Sequence, residues 1–141
     1  MAIDYTHVDS GRQWVPLLAS AARTATPNQQ QIELVGDVDA LVIVVTATAV
    51  AAAGSVTPKI EGVDPVTQAT YPILTAGTTA VVNTTNTATT YTYKVGQGLP
   101  ASTTAQAQSA NDVVPPVVRV TLTHADATNS FTYSVTALTP N

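Results

Sequence analysis

The 141-residue chain has no cysteine, one tryptophan, one phenylalanine and one methionine. Without cysteine there are no disulfide staples, thiolate nucleophiles or zinc–thiolate sites, so packing and backbone hydrogen bonds must supply the stability. Charge is scarce too. Asp, Glu, Lys and Arg make up 10% of the residues, against about 25% in an ordinary globular domain. The net charge is −4, and Lys94 is the only charged residue between Asp64 and Asp112. No basic stripe exists to neutralise phosphates, so no nucleic-acid partner is expected. Long apolar runs are missing as well. Ala40 to Pro58 is free of charge, but Thr46, Thr48, Gly54, Ser55, Thr57 and Pro58 interrupt it, short of the roughly 20 apolar residues of a membrane helix. No membrane contact is expected. Met1 to Gly11 carries Asp4 and Asp9 in place of a basic segment and an apolar core, so the reading is synthesis in the cytoplasm without a secretory leader.

What the chain does contain is 25 Thr and 22 Ala. Thr is β-branched and suits a pleated, half-buried surface. The apolar residues repeat with period 2. Leu41, Ile43, Val45, Ala47 and Ala49 share one strand face while Val42, Val44, Thr46 and Thr48 take the other. A strand apolar on both faces is central in a sheet covered on both sides, or is covered by another chain. Val56 to Val63 and Ala69 to Leu74 flank Asp64-Pro65-Val66-Thr67, which suits a type I turn, and so read as a hairpin. Thr78 to Val82 and Thr89 to Val95 read as strands, the second alternating Tyr91, Tyr93 and Val95 against Thr90, Thr92 and Lys94. Pro115-Pro116 marks a strand start. Val117 to Thr123 and Ser130 to Leu138 read as a last hairpin, with Val118, Val120 and Leu122 facing Phe131, Tyr133 and Val135 across the core. The sum is an all-β fold, an antiparallel β-sandwich of jelly-roll or immunoglobulin-like kind over residues 32–141.

Residues 1–31 hold no sustained period and close on Thr26-Pro27-Asn28-Gln29-Gln30-Gln31, so they read as an extended N-terminal arm. Within it Trp14, Val15, Leu17 and Leu18 form an apolar patch. Either this patch caps the domain's own core or it orders on a partner. Leu99 to Asn111 is a low-complexity stretch of Ala, Ser, Thr and Gln and reads as a surface loop, with Leu99, Gln106 and Gln108 as candidate partner contacts.

No motif carries catalytic chemistry. His7 lies in the arm and His124 at a hairpin end, where it reads as a solvated turn residue, and neither sits in a nucleophile elbow, a zinc-binding helix or a glycine-rich phosphate loop. Asp37 and Asp39 flank a turn, but two carboxylates fall short of the six to eight oxygens calcium takes, so they read as a solvated strand entry. No catalytic residue, metal or cofactor is expected. Asn83-Thr84-Thr85 fits a glycosylation acceptor and reads as coincidence without a leader. The Thr-x-Thr pairs Thr46/Thr48, Thr87/Thr89, Thr90/Thr92 and Thr121/Thr123 lack a fixed repeat and read as outer strand faces.

Two stretches carry a resemblance. Ile60-Glu61-Gly62-Val63-Asp64-Pro65-Val66-Thr67-Gln68-Ala69-Thr70-Tyr71-Pro72-Ile73-Leu74 joins a strand, a G-x-D-P turn and an aromatic return strand. Val117 to Leu138 contains V-R-V-x-x-x-H-x-[ND]-x-x-x-[ST]-x-T-Y-S-V. Together they resemble a family of small virion structural proteins of tailed bacteriophages. The resemblance implies a β-sandwich on the capsid exterior that decorates or cements the shell by binding the major capsid protein, with self-association into a trimer or another small ring. It transfers no catalytic residue. The alternative is another virion component, of tail or fibre, or a carbohydrate-binding β-sandwich with Tyr71, Tyr91, Tyr93 and Trp14 as stacking residues; for the tyrosines the competing reading is cross-strand packing.

Overall fold

The computed structural model describes residues 2–9, 11–75, 90–104 and 107–140. The protein is an all-β sandwich of two sheets. The strands are β1 (Ile3–Asp9), β2 (Gln13–Arg23), β3 (Gln29–Val35), β4 (Ala40–Ala49), β5 (Val56–Val63), β6 (Thr70–Thr75), β7 (Thr90–Gly96), β8 (Ser102–Thr104), β9 (Ala107–Asn111), β10 (Val117–His124) and β11 (Phe131–Thr139). The first sheet runs β1-β3-β10-β5-β6 and the second β2-β11-β4-β7-β9-β8. Both are mixed: β1 pairs with β3, and β7 with β9, in parallel. The expected sandwich is therefore present, though it is not purely antiparallel. None of the described residues forms a helix long and apolar enough to cross a membrane.

Period-2 alternation builds the core, because successive side chains of a strand point to opposite faces. The second sheet contributes Leu41, Ile43, Val45, Tyr91, Tyr93, Val95, Phe131, Tyr133 and Val135, and the first contributes Val8, Ile32, Val56, Ile60, Val118, Val120 and Leu122. Val118, Val120 and Leu122 thus meet Phe131, Tyr133 and Val135 across the core, as their spacing suggests. They do so without a hairpin. β10 pairs with β3 and β5, and β11 with β2 and β4, so the chain arches from one sheet to the other through residues 125–130. Alternation is the same for a hairpin and for an arch, so the pattern alone does not distinguish them.

β5 and β6 do form the expected hairpin. Its turn begins at Asp64 and is one residue wider than a type I turn. The Gln68 amide donates to the Asp64 carbonyl at 2.8 Å, with Gln68 at a φ of 62°, while the Asp64 carboxylate accepts from the Val66 amide and the Thr67 hydroxyl. Just ahead of β5, Gly54 has a φ of +83°, and a Cβ there would lie 2.7 Å from the Asp126 carboxylate. Glycine is required where the β4–β5 and β10–β11 arches meet.

Residues 1–31 do not stand apart from the domain as an arm. β1 is an edge strand of the first sheet and β2 an edge strand of the second. The Gln run is the first part of β3. Gln30 is buried and its side-chain amide donates to the Asp4 carboxylate at 2.8 Å, which fastens β1. Sequence periodicity misses these strands because edge strands bury little, Val8 being the one fully buried residue of β1 and β2. Leu99 to Asn111 is likewise more than a loop, since it holds β8 and β9. The expected strand at Thr78 to Val82, the Asn83 motif and the Thr87/Thr89 pair lie outside the described residues.

Candidate docking face

The outward face of the second sheet assembles from strand registers. In one row Trp14 lies opposite Leu138, Leu138 opposite Val42, and Val42 opposite Lys94. In the next, Pro16 lies opposite Thr136, Thr136 opposite Val44, and Val44 opposite Thr92. Ser134, Thr46 and Thr90 form a third. Lys94 is the one charged residue among these positions. Val42, Val44 and Leu138 are half-buried, while Trp14 is 69% exposed. Protein interfaces show this composition at their centres: charge is depleted and an aromatic side chain stands ready as an anchor.

Of the patch expected to order on a partner, only Trp14 projects freely. Val15, Leu17 and Leu18 are packed against the protein's own core, which is the capping reading for those three residues. The sequence reading did not place Leu138, Pro16 and Thr136 beside Trp14. The signal that could have done so was the two-sided apolar pattern of β4, whose outer residues Val42 and Val44 ask for a cover that no described residue supplies.

The other expected contacts do not join this face. Gln108 lies opposite Tyr93 in β9 and is 3% exposed, so it cannot serve as a surface contact. Leu99 is half-buried beside Gly96, and Gln106 lies outside the described residues. Tyr91 and Tyr93 are fully buried, and burial raises the pKa of both hydroxyls. They are cross-strand core residues with no ring face free for stacking. The exposed aromatics do not line up: Tyr5 is on the outer face of the first sheet opposite Gln31, Trp14 is on the second, and Tyr71 covers Gly62 at the β5–β6 corner.

His7 contacts Glu33 at 2.7 Å on the outer face of the first sheet. His124 is buried, with Nε2 2.9 Å from the Tyr133 hydroxyl. Asp37 and Asp39 border an open hollow of about 840 Å³ beside Val38, Val113 and Pro115. Among the described residues no group of three or more His, Asp or Glu is placed to hold a metal ion. Comparison with protein-family models, curated proteins and solved structures returns no match.

Proposed function

We propose that this protein is a structural component of a tailed-phage virion that decorates or cements the capsid, docking on the major capsid protein through the outer face of β2, β11, β4 and β7. One observation carries the reading: an exposed Trp14 beside Leu138, Val42 and Val44 on a face whose mapped positions hold one charge. The sequence resemblance supplies the identity of the partner. Docking uses the face and not the edge of the sheet. Pro16 removes a donor from the β2 edge, and β2 is bulged: Pro16 to Ala21 advances five residues while its partner moves three, from Thr136 to Tyr133. Pro and bulges both blunt an edge against strand addition. Many copies, each held by one aromatic anchor, bind a repetitive shell through avidity, and assembly of this protein into a trimer or small ring would add to it.

The test mixes intact protein with undecorated capsids and measures occupancy. Truncating 1–30 would remove β1 and β2, so point variants are used. Trp14→Ala should lower affinity by about 30-fold or more, the scale of an interface hot spot of about 2 kcal/mol. Full occupancy by Trp14→Ala would exclude this face, and absence of binding by the unaltered protein would exclude the capsid reading. The carbohydrate-binding alternative has lost Tyr91 and Tyr93 to the core, and no row of exposed aromatics among the described residues replaces them.

A further inference from the structure

The bulged half of β2 is held by side chains as well as by its ladder to β11. The Arg23 guanidinium donates from Nη2 to the Ala19 carbonyl at 2.6 Å, and from Nη1 to the Tyr133 carbonyl at 2.6 Å and the Ala21 carbonyl at 3.2 Å. It also lies 4.7 Å from the centre of the Tyr133 ring, a cation–π contact. The Tyr133 hydroxyl is in turn hydrogen-bonded to His124 Nε2 at 2.9 Å. The His124 backbone amide donates to the Thr26 hydroxyl at 3.0 Å, just past the end of β2. One connected cluster therefore ties β2 to β10 and β11 where the chain passes between the sheets.

His124 is the weak member. It is 9% exposed, its ring stands edge-on to Phe131, and Nδ1 is buried with no hydrogen-bond partner. A neutral imidazole tolerates one unpaired nitrogen at modest cost. An imidazolium has two N–H groups, and the Nδ1 proton would find no acceptor while the new charge sat in an apolar setting near Arg23. The groups facing it are Arg23 from β2, Tyr133 from β11 and Asp126 from the arch, while β5 presents Val56. Asp126 favours the cation, but its carboxylate is committed to Thr128 and Asn129. Burial, and then Arg23, outweigh it and lower the His124 pKa from its ordinary value.

We propose that Arg23, Tyr133 and His124 form an acid-sensitive latch on β2, in which proton uptake by His124 frees the bulged half of the strand that carries Trp14. That this release regulates docking rests on the function proposed above; the latch itself does not. Because the folded site favours the neutral ring, its contribution is complete above about pH 6.5, the ordinary imidazole value, and fades as pH falls below it.

Hydrogen exchange on the intact protein, corrected for intrinsic rates, tests the latch. Between about pH 7.5 and pH 5, protection of residues 18–23 should fall severalfold more than that of β4. His124→Gln keeps an amide for the Tyr133 hydroxyl and cannot charge, so it should abolish the difference. Equal loss in β2 and β4, or an unchanged acid response in His124→Gln, overturns the proposal. Should that variant not fold, NMR titration of His124 in the unaltered protein decides: a midpoint below the ordinary value supports the latch, and one at or above it overturns it. Capsid occupancy at the same two pH values separates the layers. An intact latch response without loss of occupancy removes only the regulatory role, and absence of docking at both pH values removes the docking reading while the latch stands.

Discussion

The outer faces of the two sheets are built from strands of one chain yet are finished differently. On the first sheet the side chains satisfy each other. Gln31 Oε1 accepts from Arg119 Nε at 3.2 Å and Nη2 at 2.7 Å, Gln29 donates to the Thr121 hydroxyl at 3.3 Å, and Lys59 reaches Glu61 at 3.4 Å. Gln31, Thr121 and Glu61 are buried although they lie on an outward face. On the second sheet the same pleat presents Trp14, Val42, Val44 and a field of threonines. A face whose polar groups are paired internally contributes stability and has little to offer a partner. A face of apolar side chains and small hydroxyls has the opposite balance, and the contrast directs the search for a partner to the second sheet.

The contrast is broken most sharply by exchanging the faces' properties. Val44→Lys puts a charge in the centre of the second face, where a docked partner would have to desolvate it. Capsid occupancy should be lost while thermal stability changes little, because the Lys head can reach water. Arg119→Met on the first face should do the reverse. It strips the buried Gln31 carbonyl of its donors, so denaturant unfolding should show a loss of about 1–3 kcal/mol with docking unchanged. If both variants lowered occupancy equally, or both lowered stability equally, the division of labour would fail.

The arches joining the sheets sharpen it further. Asp126 accepts from the amides of Thr128 and Asn129, both at 2.9 Å, and from the Asn129 side chain at 2.8 Å. The Asn129 amide, then the Thr128 amide, lower its pKa to about 2. The folded state thus binds a proton less readily than the unfolded chain. Stability from this turn is present above about pH 4, the ordinary aspartate value, and is lost as pH falls towards 2. Asp126→Asn should lower the melting temperature at neutral pH, with the gap to the unaltered protein closing in that acid window. Any response of His124 begins below about pH 6.5, before the Asp126 window opens near pH 4.

How much of this was legible in the sequence depends on what a residue's environment is made of. The period-2 runs of β4, β7 and β11 and the Asp64-Pro65 turn between β5 and β6 are local signals, and Tyr91 and Tyr93 sharing a face with Val95 already favoured core packing. Whether Val117 to Leu138 is a hairpin or an arch depends on the partners of each strand elsewhere in the chain. The strands β1 and β2 were illegible for a related reason: Gln30 holds Asp4 across 26 residues and Arg23 holds the Tyr133 carbonyl across 110, contacts that leave no periodic trace. Trp14 was recognisable as a candidate by its rarity. Its neighbours Leu138 and Val42 were not, since only the register brings them beside it.

The smallest expected effect tests whether pairing on the first face depends on burial. His7 Nε2 and Glu33 Oε2 are 2.7 Å apart, but the two side chains are 67% and 43% exposed. Solvent screens such a pair, and holding two mobile side chains in one geometry has an entropic cost, so exposed pairs contribute about 0.2–1 kcal/mol. A double-mutant cycle of His7→Gln and Glu33→Gln should return a coupling in that range. The same cycle on Gln31 and Arg119, where Gln31 is 3% exposed, should return the larger coupling. Equal couplings would mean that the first face owes its stability to the number of its polar pairs, and that burying them adds nothing.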